Sequence, residues 1–293
     1  LVSLLAMILI IFGSFLLVEL LPTSPFRDEK NLNPVVQQIL SDRYGLQEPV
    51  FKRFQLFATN LLAGEIGPSI LQENLAPDFL KQRFRNSLFI GLLAFFCAFS
   101  FAVVMGFVLS LYPQGRKFFW KSTQLLISIP VLVIVPSLIF LFGIYLQWLP
   151  VARLDSWEAW ILPIGAMIYR PFLNFSRIFV QQIESVEAAG YYRAQLSYGF
   201  SRLQAFYHVV LQNALIPLLV ALPATFSSMI SGSIVIETMF ALPGLGSTYL
   251  EALLNRDVYL IVGMTCFYSF VLILSQWLVD LLILRIDPRV QLA

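Results

Sequence analysis

Six stretches of about 20 or more mostly apolar residues, near 1–21, 87–112, 123–149, 160–183, 212–236 and 259–284, dominate this chain. A helix that crosses a bilayer needs about 20 such residues, so the pattern commits the chain to lipid. Of its 293 residues 58% are hydrophobic and only 12% charged, and mean hydropathy is +0.79. Soluble domains carry roughly a quarter charged residues, and one soluble core could not bury this much apolar surface. The expected fold class is an all-α polytopic membrane protein with six transmembrane helices. The fourth span is the least regular, because Pro163, Arg170, Pro171 and Arg177 interrupt it, and its C-terminal part is expected to leave the bilayer. Pro130 and Pro136 fall inside the third span, where proline removes a hydrogen bond and kinks a helix. Such kinks shape gates or serve packing alone. Leu1 already lies in an apolar run, so further residues are expected before it. With Pro22 and Pro25 following and no small-residue cleavage pattern, 1–21 reads as a retained first span.

The loops alternate in charge. Arg116, Lys117 and Lys121 occupy 113–122 without an acid, and Arg193 and Arg202 join Arg177 around the 184–211 loop, against Glu184 and Glu187. On the other side, 150–159 sets Arg153 against Asp155 and Glu158, and the loop after the fifth span sets Arg256 against Glu237, Glu251 and Asp257. Lys and Arg prefer cytoplasmic loops, so 113–122, 184–211 and both termini are expected in the cytoplasm. Residues 22–86 then form a small, mainly helical extracytoplasmic segment, and 87–293 the main transmembrane domain.

Other chemistry is sparse. Net charge is +2 with no basic tract, which argues against nucleic acid as a partner. Cys97 and Cys266 sit inside apolar runs and read as small buried hydrophobes. One histidine, His208, cannot build a His-rich metal cage; it reads as a helix-surface residue near the headgroups. No catalytic, cofactor or metal residues are expected. Glu237 and Asp280 flank or enter spans, where acids are functional candidates; structural roles are expected for both, Asp280 pairing with Arg285. Gly232 between Ser231 and Ser233 suggests close helix packing.

The stretch 191–217 is something membrane spans do not need. Leu196, Phe200, Leu203, Tyr207 and Val210 recur at helical spacing. Gly199 falls where a helix can end in the left-handed conformation. Ser201 with Gln204 three residues on matches a capping box that restarts a helix. Two short amphipathic helices hinged at Gly199 would present a knob to a groove on a soluble partner. The same hairpin would also suit lipid headgroups.

This segment resembles the EAA loop of ABC importer permeases, in the oligopeptide, dipeptide and nickel branch. Arg193-Ala194, Gly199, Asn213-Ala214 and Pro217 fit its spacing; Glu187-Ala188-Ala189 does not, since Gly190 comes too soon. His208 stands one residue early against a histidine common in that loop. Leu21-Pro22-Thr23-Ser24-Pro25, Tyr44-Gly45-Leu46 with Glu48-Pro49, Gly64-Glu65-Ile66-Gly67, Glu237 to Gly246, Asn255-Arg256-Asp257 and Asp287-Pro288-Arg289 also resemble segments of that branch, in order. Thr23-Ser24 and Val258-Tyr259 depart from it.

The resemblance implies the type I ABC importer permease fold in a bacterial inner membrane. It implies a second permease subunit, two cytoplasmic ATP-binding subunits and an extracytoplasmic solute-binding protein as partners, with peptides as cargo. It makes 184–213 the coupling loop, with Arg193, Ala194, Gly199, Ser201 and Leu203 at the docking surface. Glu237, Pro243, Gly244 and Gly246 become candidates for an external loop and gate. The chain has no Gly-x-x-x-x-Gly-Lys-Ser/Thr phosphate loop, so it is not expected to hydrolyse ATP. Two rivals differ in class. An intramembrane protease needs a Ser–His pair, paired aspartates or a zinc cluster, and Asp280 is the one Asp well within a span. An ion-gradient-driven secondary transporter would work alone, and that class often has inverted repeats and midplane charges, which are not evident.

Overall fold

The computed structural model describes residues 2–19, 48–62, 77–151, 156–255 and 257–286. Every regular element among them is helical: α1 (Val2–Glu19), α2 (Val50–Leu62), α3 (Pro77–Leu111), α4 (Arg116–Ile127), α5 (Val131–Leu138), α6 (Ile161–Ala188), α7 (Gly190–Ser197), α8 (Arg202–Val220), α9 (Leu222–Met239), α10 (Leu245–Leu254) and α11 (Val258–Ile286). A π turn, Ile139–Tyr145, prolongs α5, and another, Phe206–Val210, lies inside α8. The chain divides into two compact units, residues 1–86 with 243–273, and 87–242 with 274–293.

In the first unit Phe15 of α1 meets Phe54 of α2 edge-on at 5.5 Å, beside Val262 and the buried Cys266 of α11. Leu245 and Ala252 of α10 pack with Leu260 and Met264 of α11. Phe84 of α3 closes that cluster, 5.0 Å from Phe267.

In the second unit α6 is the central helix, with Leu162, Ala166, Leu173, Phe175, Phe179 and Ile183 all buried. α3 carries small residues four apart, Ala94, Ala98, Ala102 and Gly106, all buried, and Gly106 meets α6 at Phe179 and Ile183. Small residues at helical spacing let two backbones approach where lipid supplies no hydrophobic drive. At Gly106 there is no room for a side chain, because an added Cβ would lie 2.3 Å from the Phe179 ring. Phe95 wedges edge-on between Phe175 and Phe226, at 5.8 and 5.4 Å.

Three helices among the described residues, within Lys81–Leu111, Arg202–Val220 and Leu260–Leu278, are long and apolar enough to cross a membrane. There are four if a bent pair, Pro113–Ile127 with Val131–Tyr145, counts as one. That pair corrects the expected 123–149 span, which is not one kinked helix but two helices meeting at a break, the first of them beginning before residue 123. It turns through 93° at Pro130, which has no N–H to donate and whose ring excludes the preceding turn. The fourth stretch, expected to be interrupted, is instead a continuous helix of 28 residues despite Pro171. The fifth breaks at Ala221, with Pro223 in the first turn of α9. α3 starts at Pro77 and not at residue 87. The motifs at 21–25, 44–46, 64–67 and 287–289, Arg256, and the side chains of Ser231, Gly232, Ser233, Asp280 and Arg285 lie outside what is described.

Candidate functional site

α6 ends at Ala188, and Ala189 (φ −74°, ψ 150°) turns the chain into α7. α7 is closed by a Schellman motif: Phe200 N–H donates to Gln195 O at 3.3 Å and Gly199 N–H to Leu196 O at 3.1 Å. That motif needs a left-handed residue after the cap, and Gly199 supplies it at φ +87°. Nothing lies within 4 Å of where its Cβ would be, so its requirement is conformational and not steric. The next helix starts at once. Gln204 N–H donates to Ser201 Oγ at 3.3 Å, and Ser201 N–H donates to Gln204 Oε1 at 2.9 Å. This is the capping box expected from the sequence.

The second helix is not short. No breaker follows Ser201 until Pro217, and Ala205, Phe206, Val209, Val210, Ala214 and Leu218 form a buried stripe that carries α8 on to Val220. Phe206 anchors it against Phe107 of α3, 5.0 Å between ring centroids. The expected apolar face is therefore divided. Val210 is buried, while Leu196, Phe200, Leu203 and Tyr207 are exposed. Tyr191 joins them, and Tyr198 is 82% exposed. Arg193, Ala194, Gly199, Ser201 and Leu203 all lie on this open turn, with Arg202 beside them. His208 is exposed and meets Phe200 edge-on at 6.1 Å.

Beneath the turn is a polar brace that sequence reasoning did not find. Arg116, at the start of α4, pairs with Glu187 of α6 through Nη1–Oε2 and Nη2–Oε1, both 2.8 Å. Its Nε donates to Leu109 O at the end of α3, and Ser110 Oγ donates to Glu187 Oε1 at 3.0 Å. One turn earlier, Trp120 Nε1 donates to Glu184 at 3.1 Å, with the Arg177 guanidinium 5.6 Å from the Trp120 ring. Tyr192 of α7 is 7% exposed. Burial, with a smaller contribution from the Glu187 carboxylate, pushes its phenol above the ordinary tyrosine value, against the opposing charges of Arg202 and Arg116.

The second candidate set falls in both units. In one, Glu237 of α9 is 2% exposed and accepts from Ser87 Oγ at 2.7 Å. Leu242 N–H closes the end of α9 onto Glu237 O. In the other, Gly244 and Gly246 are buried and Pro243 is exposed. Asn86 Nδ2 donates to Pro243 O at 3.0 Å. Thr248 Oγ1 donates to Gly244 O at 2.8 Å and accepts from Arg83 at 3.0 Å. Asp257, also buried, caps α11 by accepting from Leu260 N–H at 3.1 Å.

Residues 98–292 match the family of binding-protein-dependent transport system inner membrane components. The chain is 32% identical over 289 residues to the oligopeptide transport system permease protein OppB of Haemophilus influenzae, covering 97% of this chain and 94% of that one. It is 31% identical over 282 residues to the dipeptide transport system permease protein DppB of Bacillus subtilis, covering 95% and 92%. Among solved structures it resembles an amino acid ABC transporter (TM-score 0.54, 18% identity), over 71% of this chain and 94% of that one. This all-helical chain belongs to the binding-protein-dependent transport system inner membrane component family, with the permease fold of ABC importers.

Proposed function

We propose that this chain carries peptides across the membrane as one permease of an ATP-driven importer. In this reading a second permease completes the path, two cytoplasmic ATP-binding subunits drive it, and an extracytoplasmic binding protein delivers the cargo. The names of the similar OppB and DppB proteins support peptides as the solute class. The distribution of Lys and Arg supports cytoplasmic termini.

The observation that carries the mechanism is the open turn between α7 and α8. It exposes Leu196, Tyr198, Phe200 and Leu203 while capping both helix ends tightly. Such a turn is a rigid knob, and Arg193 and Arg202 give it charge for a groove on an ATPase. α8 runs without a break from the capping box to Val220, so a push on the knob is delivered along the helix axis into the unit that holds α6. ATP drives this movement only because it binds the inward- and outward-open arrangements unequally. Glu237, with its Ser87 partner, and the Gly244–Gly246 turn have external roles in this scheme.

The test is Gly199→Val in the reconstituted complex of both permeases and both ATP-binding subunits, with its binding protein. A β-branched residue at φ +87° is strained, so stimulated ATP hydrolysis and uptake should fall together while each subunit still inserts. Survival of both activities would remove the docking assignment. Uptake that ran on an ion gradient without ATP would favour a secondary transporter.

A further inference from the structure

We infer that α6 lines the translocation path with a polar stripe, and that Arg170 is its binding group for a carboxylate of the solute. The proposal rests on the transport reading above and adds the recognised chemical group and the residue that takes it.

Arg170 is exposed, on a helix that is otherwise the buried centre of its unit. Asn174, Gln181 and Ser185 are exposed too. Spacings of four, seven and four residues place them on one side of α6. None of the four is covered by the rest of the chain; Gln181 and Ser185 lie about 30 Å or more past Ile161, at the membrane edge, but the Arg170 guanidinium and the Asn174 amide cannot be left facing lipid tails. A water-filled path satisfies them. Depth agrees. Arg170 lies nine residues past Ile161, about 14 Å along the helix at about 1.5 Å per residue, in a hydrocarbon layer about 30 Å thick.

A second observation singles out Arg170. The broken helix α4 ends beside it, and Pro130 has no N–H to offer Leu126 O, which accepts instead from Ile129 N–H at 3.0 Å. Tyr169 Oη donates to Leu126 O, and Arg170 Nη1 donates to Ile127 O at 2.7 Å. These contacts fix the guanidinium at the break and use one of its five N–H groups. The others have no protein partner among the described residues, and they form the planar fork that suits a carboxylate.

The test uses the full chain with its partner subunits in membrane vesicles, with Cys97 and Cys266 replaced by Ala. Asn174→Cys, one helical turn from Arg170, is labelled with a sulfonate-bearing and a trimethylammonium-bearing methanethiosulfonate. The anionic reagent should react at least several-fold faster. The preference should disappear in Arg170→Gln and persist in Arg170→Lys. No labelling by either reagent, as in a stripe sealed against a second chain, would overturn the inference, as would a preference unaffected by Arg170→Gln. In parallel, uptake of a short peptide and of its C-terminal amide is compared. Wild type should favour the free acid, and Arg170→Gln should lower uptake of the acid to that of the amide. A purely structural Arg170 would lower both alike, which overturns the carboxylate assignment. Wild type with no ATP-driven uptake of either peptide would refute the proposed function, while the labelling result would still decide whether Arg170 faces water and draws anions.

Discussion

Arg116 and Glu187 form a two-point ion pair, 2.8 Å at each contact, across the end of α3 and just before the turn into α7. Their side chains are 13% and 15% exposed, so little water replaces a lost partner. Removing one member of such a pair costs about 3 kcal/mol or more, much of it from the charge left behind. Arg116→Ala or Glu187→Ala should lower the unfolding temperature of the detergent-solubilised complex and weaken stimulated ATP hydrolysis. The exchange Arg116→Glu with Glu187→Arg should recover part of both. An intact melting profile in both single variants would mean that the brace contributes nothing.

Gly106 of α3 packs against α6, and the Phe179 ring occupies the space of its missing side chain. Phe179 is fully buried, so it cannot swing aside freely. Overpacking of this kind costs about 1–3 kcal/mol. Gly106→Val should reduce thermal stability within that range, and Phe179→Leu in the same chain should restore much of it. Equal destabilisation by Gly106→Val in both backgrounds would place the clash elsewhere.

Local chemistry was legible in the sequence, and long-range pairing was not. Gly199 and the Ser201–Gln204 box involve neighbours within a few residues, and the structure has both as expected. The first and last apolar runs likewise form α1 and α11. The Arg116–Glu187 pair joins positions 71 apart, and in one dimension Arg116 reads only as a positive loop charge. The Ala94, Ala98, Ala102 and Gly106 series has visible period, but its meaning depends on Phe179 arriving from another helix. Proline was legible in kind at Pro130 and misleading at Pro171. Pro130, expected to kink its span, breaks it through 93°, with Tyr169 and Arg170 donating to Leu126 O and Ile127 O beside the break, whereas Pro171, expected to interrupt its span, is absorbed within α6.

Ser201 holds the first turn of α8 through a single side-chain acceptor. Replacing a Ser N-cap by Ala costs about 1 kcal/mol, here confined to a solvent-facing turn. Ser201→Ala should speed amide hydrogen exchange at residues 202–204 several-fold and leave exchange in α6 unchanged. Gly199→Ala loses the left-handed preference, at about 1–2 kcal/mol, and should loosen the C-terminal turn of α7 in the same measurement. Exchange that stays at wild-type rates in both variants would show that the turn is held by something other than its caps.

Tyr192 links the knob to the brace beneath it and makes the region sensitive to alkali. Burial, and secondarily Glu187, hold its phenol above the ordinary tyrosine value of about 10. The neutral form is thus favoured more in the folded protein than in the unfolded chain. Below the unfolded value both states keep the proton, and Tyr192 adds no pH dependence. As pH rises past about 10 the unfolded chain loses its proton first, and folding stability falls until the folded-state phenol also ionises. Tyr192→Phe should remove that contribution. Above about pH 10 its melting temperature should fall less steeply than that of the wild type, although the two proteins behave alike near neutrality. Parallel curves over that interval would mean that Tyr192 does not titrate against its buried surroundings.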